Sequence, residues 1–349
     1  MGAAPRSATL YRALRPLLFR LDPERAHALS LNLLRLVGAL PPLGWTVERI
    51  LPVGRARPVE AFGLTFANAV GLAAGYDKDA VAWRGLACLG FGHVELGTVT
   101  PRAQPGNPRP RVFRLTGERS LINRLGFPSR GAESVARRLG PARPRGLVVG
   151  VNLGKQRETP LERAADDYEL LMDRLAPAAD YLTLNLSSPN TPELRRLQHR
   201  ERLGPLLRRL AEHRDGLRDK LGRPLPLLAK LSPDLPDTEL DSALAVIREA
   251  GLDGVVAANT TTSRDGLTSP VAGESGGLSG AALSARSTSM VRHIARQTGG
   301  NLPIIASGGV MGPADAQEKL DAGARLVQLY TGLIYEGPGL VSRILQELV

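Results

Sequence analysis

Cysteine is nearly absent: Cys88 stands alone in 349 residues. It can build neither a disulfide framework nor a thiolate cluster for zinc or iron–sulfur binding, and a reducing compartment fits. Aromatic residues make up only 4% of the chain, too few for the stacking platforms that single-stranded nucleic acid demands. Histidine is sparse as well. None of His27, His93, His199, His213 and His293 falls at the carboxyl end of an expected strand, so neither a serine–histidine–acid order nor a metal-ligand set emerges. Lysine is scarcer than the charge suggests: of 45 basic residues only Lys78, Lys155, Lys220, Lys230 and Lys319 are lysine, leaving 40 arginines spread along the chain. The formal charge of +11 therefore reads as compositional bias, and no nucleic-acid partner is expected. Long apolar runs are missing too. Leu29 to Leu40 is broken by Asn32 and Arg35 and falls short of the roughly 20 residues of a spanning helix.

What remains is ordinary globular composition, 43% hydrophobic and 23% charged, enough for a large core. Residues 1–45 carry two helical patterns, and the linker from Pro52 to Pro58 supplies a boundary before a catalytic domain, so the division expected is 1–45 and 46–349. Residues 1–21 hold arginines and no acid, as targeting segments do, but arginine is common throughout and the segment has a better use as a helix.

From the linker onwards a unit repeats. Short apolar runs occur at Val70 to Ala73, His93 to Val99, Leu147 to Val151, Tyr181 to Leu186, Leu225 to Leu231, Gly254 to Ala258, Pro303 to Ala306 and Leu326 to Tyr330. Helical spacing fills the gaps at Ala80 to Leu89, Gly131 to Leu139, Pro160 to Leu175, Leu203 to Leu221, Asp237 to Ala250, Ser284 to Thr298 and Pro313 to Ala322, with Pro338 to Leu348 closing the chain. Alternation of this kind implies right-handed crossovers and a parallel sheet buried on both faces. The fold class expected is α/β, a (β/α)8 TIM barrel with an amino-terminal helical hairpin. An open doubly wound sheet is the alternative, but Gly71-Leu72-Ala73-Ala74-Gly75 lacks the spacing of a dinucleotide fingerprint. The segment from Pro101 to Pro128 is too long for a plain loop, and its alternating Arg111-Val112-Phe113-Arg114-Leu115 predicts an antiparallel ribbon at the barrel mouth.

Active sites of such barrels sit at the carboxyl ends of the strands. There the sequence places Lys78 between Asp77 and Asp79, Thr98, Asn152, the loop from Asn185 to Pro192, Lys230, Asn259-Thr260-Thr261-Thr262, Ser307-Gly308-Gly309 and Tyr330-Thr331-Gly332. Singly these residues serve equally well as caps and turns. Lys230 is harder to dismiss, because an ammonium inside the apolar strand Leu227 to Leu231 is costly without an electron-rich partner. The glycines and helix starts after strands seven and eight suit a phosphate group.

In this order the motifs resemble the dihydroorotate dehydrogenases of the quinone-linked class 2. The resemblance covers essentially the whole chain and rests on Gly71 to Asp79, Gly97-Thr98-Val99-Thr100-Pro101, Asn123-Arg124-Leu125-Gly126-Phe127, the Asn185 loop, Gly276-Gly277-Leu278-Ser279-Gly280 and Ser307-Gly308-Gly309. It implies FMN as cofactor and oxidation of (S)-dihydroorotate to orotate in pyrimidine (UMP) synthesis, with hydride to flavin N5 and a membrane quinone as acceptor. Position by position it implies cofactor contacts at Ala74, Gly75, Thr98, Asn152, Asn185, Lys230, Ala258, Gly280, Gly308, Gly309, Tyr330 and Thr331. Lys78, Asn123, Arg124, Leu125, Gly126, Phe127, Asn185, Asn190, Asn259 and Thr260 fall in the implied orotate set. Ser188 falls at the position of the catalytic base, whereas the soluble classes use a cysteine that Cys88, in an outer helix, does not supply. Ala258 departs from the threonine frequent in relatives, which leaves only a backbone contact there. A serine base needs a proton relay, for which water with Thr183 or another loop hydroxyl is the candidate. The readings that compete are an NAD-linked FMN barrel, a non-redox phosphate-binding barrel and a peripheral membrane scaffold.

The amino-terminal helices complete the expectation. Leu10, Leu14, Leu17, Leu18 and Leu21 share one helical face, and Leu29, Leu33, Leu36, Val37 and Leu40 share another, with Pro16 expected to shorten the first helix and Asp22-Pro23 to start the second. Leu31 and Leu34 widen the apolar surface, and Arg12, Arg15, Arg20, Arg25 and Arg35 suit anionic headgroups. A hairpin lying in the interface, admitting quinone between its helices, places the protein peripherally on the cytoplasmic side of the cell membrane. Packing against the barrel is the alternative.

Overall fold

The computed structural model describes residues 6–54, 57–140, 143–144, 146–191 and 193–348. Arg55 and Ala56 of the linker and Pro192 of the asparagine loop lie outside the described residues, as do the side chains of residues 6–10.

Three helices open the chain: α1 (Arg6–Leu18), α2 (Pro23–Ala39) and α3 (Pro41–Ile50). The Asp22 carboxylate caps α2 by accepting from the backbone N–H groups of Glu24 and Arg25, with Pro23 in the first turn where its missing donor costs nothing. Two expectations fail here. Pro16 does not shorten α1: it removes a single donor near the end, and the chain closes its next turn with Phe19 N–H donating to the Arg15 carbonyl. The helical segment also extends beyond residue 45, because Pro41-Pro42, a break by sequence, forms the first turn of α3.

The hairpin β1 (Val59–Ala61) and β2 (Leu64–Phe66) follows, then β3 (Val70–Leu72), α4 (Trp83–Ala87) and β4 (His93–Val99). Ala80, at φ +54, delays α4, so the expected helix from Ala80 to Leu89 is shorter than its pattern. The mouth excursion supplies β5 (Val112–Leu115) and β6 (Ser120–Asn123). Alternation then continues through α5 (Ala132–Leu139), β7 (Val148–Leu153), α6 (Ala164–Leu175), β8 (Tyr181–Asn185), α7 (Arg200–Leu221), β9 (Leu227–Lys230), α8 (Asp237–Glu249) and β10 (Gly254–Ala257). After β11 (Gly277–Gly280) come α9 (Ser284–Gln297), β12 (Ile304–Ser307), α10 (Pro313–Asp321), β13 (Leu326–Leu329), α11 (Thr331–Glu336) and α12 (Leu340–Glu347).

Eight parallel strands close in the order β10-β12-β13-β3-β4-β7-β8-β9, so the (β/α)8 barrel stands. The mouth ribbon gains a third strand, because β11 pairs with β6 and brings Gly277 opposite Asn123. At the other end β1–β2 plugs the barrel, with Phe62 and Phe66 packed on Tyr181, Leu228, Val256, Ile305 and Leu326 near the strand starts. Three strand glycines make room for rings. A Cβ at Gly71 would lie 2.1 Å from the His93 ring, one at Gly150 2.0 Å from Tyr181, and one at Gly254 2.3 Å from Phe62.

The amino-terminal helices divide their surface between barrel and solvent. Gly38 of α2 and Gly85 of α4 bring their backbones together, since a Cβ on Gly38 would lie 2.5 Å from the Gly85 nitrogen. Polar ties add to this: the Tyr11 hydroxyl and the Arg15 guanidinium donate to the carbonyls of Ile334 and Tyr335, and Arg111 pairs with Glu24 at 2.9 Å. The outer face is apolar, with Leu17 58% exposed, Leu33 56% and Trp45 68%. No described helix is long and apolar enough to cross a membrane.

Candidate active site

The carboxyl ends of the barrel strands, roofed by the mouth sheet, enclose a cavity with about 940 Å³ of open space, part of it continuous with solvent. Ser188, Lys78, Asn123, Leu125, Gly126, Phe127, Asn185, Asn190, Asn259 and Thr260 line it, as do Ala74, Gly75, Thr98, Lys230, Ala258, Gly280, Gly308, Gly309, Tyr330 and Thr331. Two residues of the implied cofactor and orotate sets do not. Arg124 turns outward to Glu274, 2.5 Å away, and over the Phe113 ring. Asn152 is wholly buried behind Thr98, whose hydroxyl donates to its side-chain oxygen at 2.6 Å.

Side-chain amides tie the strand ends together. Asn185 at the end of β8 donates to the Thr98 hydroxyl at 2.9 Å and to the Asn152 oxygen at 3.0 Å, and accepts from the Asn259 amide at 3.2 Å. Nearer the mouth, Asn190 donates to Asn123 at 3.1 Å, which in turn donates to the Gly277 carbonyl at 3.3 Å. Each amide is thereby fixed as donor or acceptor before any ligand arrives, the preorganisation that a planar polar ligand rewards. Ser188 is buried at the same loop, its Oγ accepting from the Asn190 N–H at 3.2 Å.

Two ammonium groups face this polar wall. Burial pulls Lys78 down to about 8 despite the opposing pull of Asp79, and its Nζ donates to the Gly75 carbonyl. Burial also lowers Lys230, which Glu95 partly offsets; its ammonium has no hydrogen-bond partner among the described residues. An electron-rich ligand atom satisfies both. At the opposite wall Gly280 and Gly309 adopt φ of +100 and +76, and a Cβ on Gly309 would lie 2.2 Å from the Ser284 Cα. The backbone there is bare and close, as around a phosphate. Among the described residues no group of three histidine, cysteine, aspartate or glutamate side chains is placed to hold a metal ion.

A family model described as dihydroorotate dehydrogenase matches residues 58–349. This chain belongs to the dihydroorotate dehydrogenase family. A curated member from Acidithiobacillus ferrooxidans, named dihydroorotate dehydrogenase (quinone), is 50% identical over 342 residues, covering 97% of this chain and 94% of that one. One of the same name from Pseudomonas putida is 48% identical over 340 residues, covering 97% and 98%. Among solved structures, the family enzyme of Eimeria tenella in complex with ferulenol superposes with a TM-score of 0.86 at 38% identity, covering 93% of this chain and 90% of that one. The chain is thus an oxidoreductase of this flavin-dependent family, and its curated relatives are quinone-linked.

The fold also brings together residues to which sequence reasoning assigned no site role. Ser279 and Gln328 line the cavity, Ser279 sharing a hydrogen bond of 2.9 Å with the Thr331 hydroxyl. Gln328 and Glu95 interrupt apolar strands as Lys230 does, the one signal that could have found them. Thr183, named from sequence as a relay candidate, does not line the cavity; its hydroxyl donates to Glu95 at 3.3 Å. Cys88 accordingly stays outside the cavity, its sulfur beside Gly44 of α3.

Proposed function

We propose that the enzyme oxidises (S)-dihydroorotate to orotate with FMN and passes the electrons to a membrane quinone. The observation that carries this reading is the meeting, in one cavity, of Ser188, Lys78 and the asparagine set with Lys230 and the glycine cradle. The residues fit FMN on two counts. Gly280 and Gly309 leave bare backbone that would accept a phosphate, and the site offers one donor and one acceptor without hydrogen-bond partners among the described residues, the Lys230 ammonium and the buried Gln328 Oε1. Bound FMN supplies a hydride acceptor at N5.

The protein's own groups do the rest. Asn123, Asn190 and Asn259 hold the orotate ring by its edge, and Lys78 meets its carboxylate or a carbonyl oxygen. The Ser188 hydroxyl removes the proton, and its own proton leaves through loop hydroxyls, of which Thr191 is buried nearby. Lys230 would stabilise negative charge on a flavin ring bound beside it. Quinone enters along the exposed leucine face of α1 and α2, which rests on an anionic membrane surface. A line of rings leads inward from there: His27 lies 4.9 Å from Tyr76, and Tyr76 lies 5.7 Å from Tyr330 at the cavity wall. Burial and the Lys78 charge hold His27 down to about 4, so it stands there as a neutral ring.

Anaerobic addition of dihydroorotate tests both halves. Flavin absorbance should bleach, and quinone should restore it while NAD and fumarate do not. A colourless protein, or recovery with NAD alone, refutes the reading.

A further inference from the structure

Glu95 of β4 is wholly buried in the barrel lumen, where an uncompensated carboxylate is costly. Four neutral groups donate to it: the Asn152 amide to Oε1 at 2.8 Å, and the Tyr181 hydroxyl, the Thr183 hydroxyl and the Gln328 amide to Oε2 at 3.3, 3.3 and 3.0 Å. Two further titratable side chains nearby bring no positive charge: burial pushes the Tyr181 hydroxyl well up, and it pushes His93 down to about 3. The opposite charge whose field Glu95 meets is Lys230 of β9, three strands further round the barrel and not in direct ion-pair contact with it; Lys230 is also buried, lines the cavity and has no hydrogen-bond partner among the described residues.

The bonding pattern gives Glu95 a second effect. A carboxylate only accepts, so Asn152 must turn its NH2 towards Glu95 and its oxygen towards the site, where it receives Thr98 at 2.6 Å and Asn185 at 3.0 Å. Through Gln328, which donates to Glu95 and lines the cavity, the same carboxylate reaches the floor from another strand.

We propose that Glu95 is a positioning residue that sets the reduction potential of the bound flavin, orienting the Asn152 amide behind Thr98 and Asn185 and balancing the Lys230 ammonium. The inference rests on the FMN reading above. Reduction adds negative charge to the flavin, which Lys230 favours and Glu95 opposes. The pair fixes the potential between the two extremes that either residue alone would produce.

Reductive titration against reference dyes, with no turnover involved, reads this directly. Glu95→Gln keeps the shape and removes the charge; the reduction equilibrium should move at least tenfold towards the reduced form, about 30 mV for a two-electron couple. Glu95→Asp keeps the charge and should stay within threefold of the parent. Lys230→Met should move the equilibrium the other way, and Glu95→Gln in the Lys230→Met background should bring it back. A flavin-loaded Glu95→Gln protein within twofold of the parent overturns the proposal. Should that variant fail to fold, the double variant, which buries no lone charge, decides: a potential equal to that of Lys230→Met overturns the proposal equally. Chromatography of the flavin released from the parent separates the two inferences. If no FMN is released, the cofactor reading fails and this one with it; FMN with unmoved potentials sinks the role of Glu95 alone.

Discussion

Gly85→Ala tests whether the seating of the amino-terminal helices governs quinone access. A methyl group there would lie 1.8 Å from the Leu34 carbonyl oxygen, which is backbone and cannot rotate away. Ordinary contact begins at 3.4 Å, so α2 must retreat by roughly 1.6 Å or tilt about its remaining ties. Those ties are at the edges, Arg111 to Glu24 and Arg114 to the Leu21 carbonyl at 2.7 Å, so tilting is the expected response. Overpacking of this size costs about 1–3 kcal/mol, a fall of a few degrees in Tm. Flavin reduction by dihydroorotate is expected to stay within twofold, because no cavity residue moves, whereas reoxidation by a long-tailed quinone should slow tenfold or more. Stopped-flow measurement of the two half-reactions separates them. Unchanged reoxidation in a protein whose Tm has fallen would show that quinone does not pass this way.

Three further outcomes are expected. Ser188→Ala should keep FMN and orotate binding while flavin reduction slows at least 100-fold, the scale of a lost general base; reduction within threefold would remove Ser188 from that role. Lys78, lowered to about 8, binds its proton less tightly in the folded protein than in the unfolded chain, so it destabilises the fold below that value and the penalty is relieved as pH rises from about 8 towards 10.5. Lys78→Met should flatten that rise in denaturant titrations, and orotate affinity of the parent should fall above pH 8 as the ammonium is lost; equal slopes for parent and variant would show the shift to be misread. Replacing exposed Leu17, Leu33 and Leu36 together by glutamine should leave Tm within a few degrees but release the protein from anionic vesicles. Retained binding in a flotation assay would place the membrane contact elsewhere.

The barrel was legible because its strands are buried on both faces, which makes them short, mostly apolar runs such as Leu147 to Val151. The floor hairpin was not. Its tight turn places Phe62 at φ +55 ahead of Gly63, where turn chemistry asks for asparagine, aspartate or glycine, and each strand has only three residues. Helix α3 hid behind Pro41, Pro42 and Gly44, breakers anywhere except a first turn and a close packing point. Of the site, the strand-end residues could be read in advance because the barrel fixes which end carries chemistry. Arg124 could not, since Glu274, which turns it outward, comes from the loop that leads into the third mouth strand, far away in sequence. Glu95 and Gln328 sit mid-strand, and their partners belong to other strands far away in sequence.

The three glycines that face rings across the lower lumen also bear on descent. Because Gly71 exists to admit the His93 ring, Gly150 the Tyr181 ring and Gly254 the Phe62 ring, neither member of a pair can be exchanged first without a collision or a hole. A side chain at one of these glycines therefore fits only where the facing ring has been replaced by something smaller, so the two positions of each pair are expected to change together.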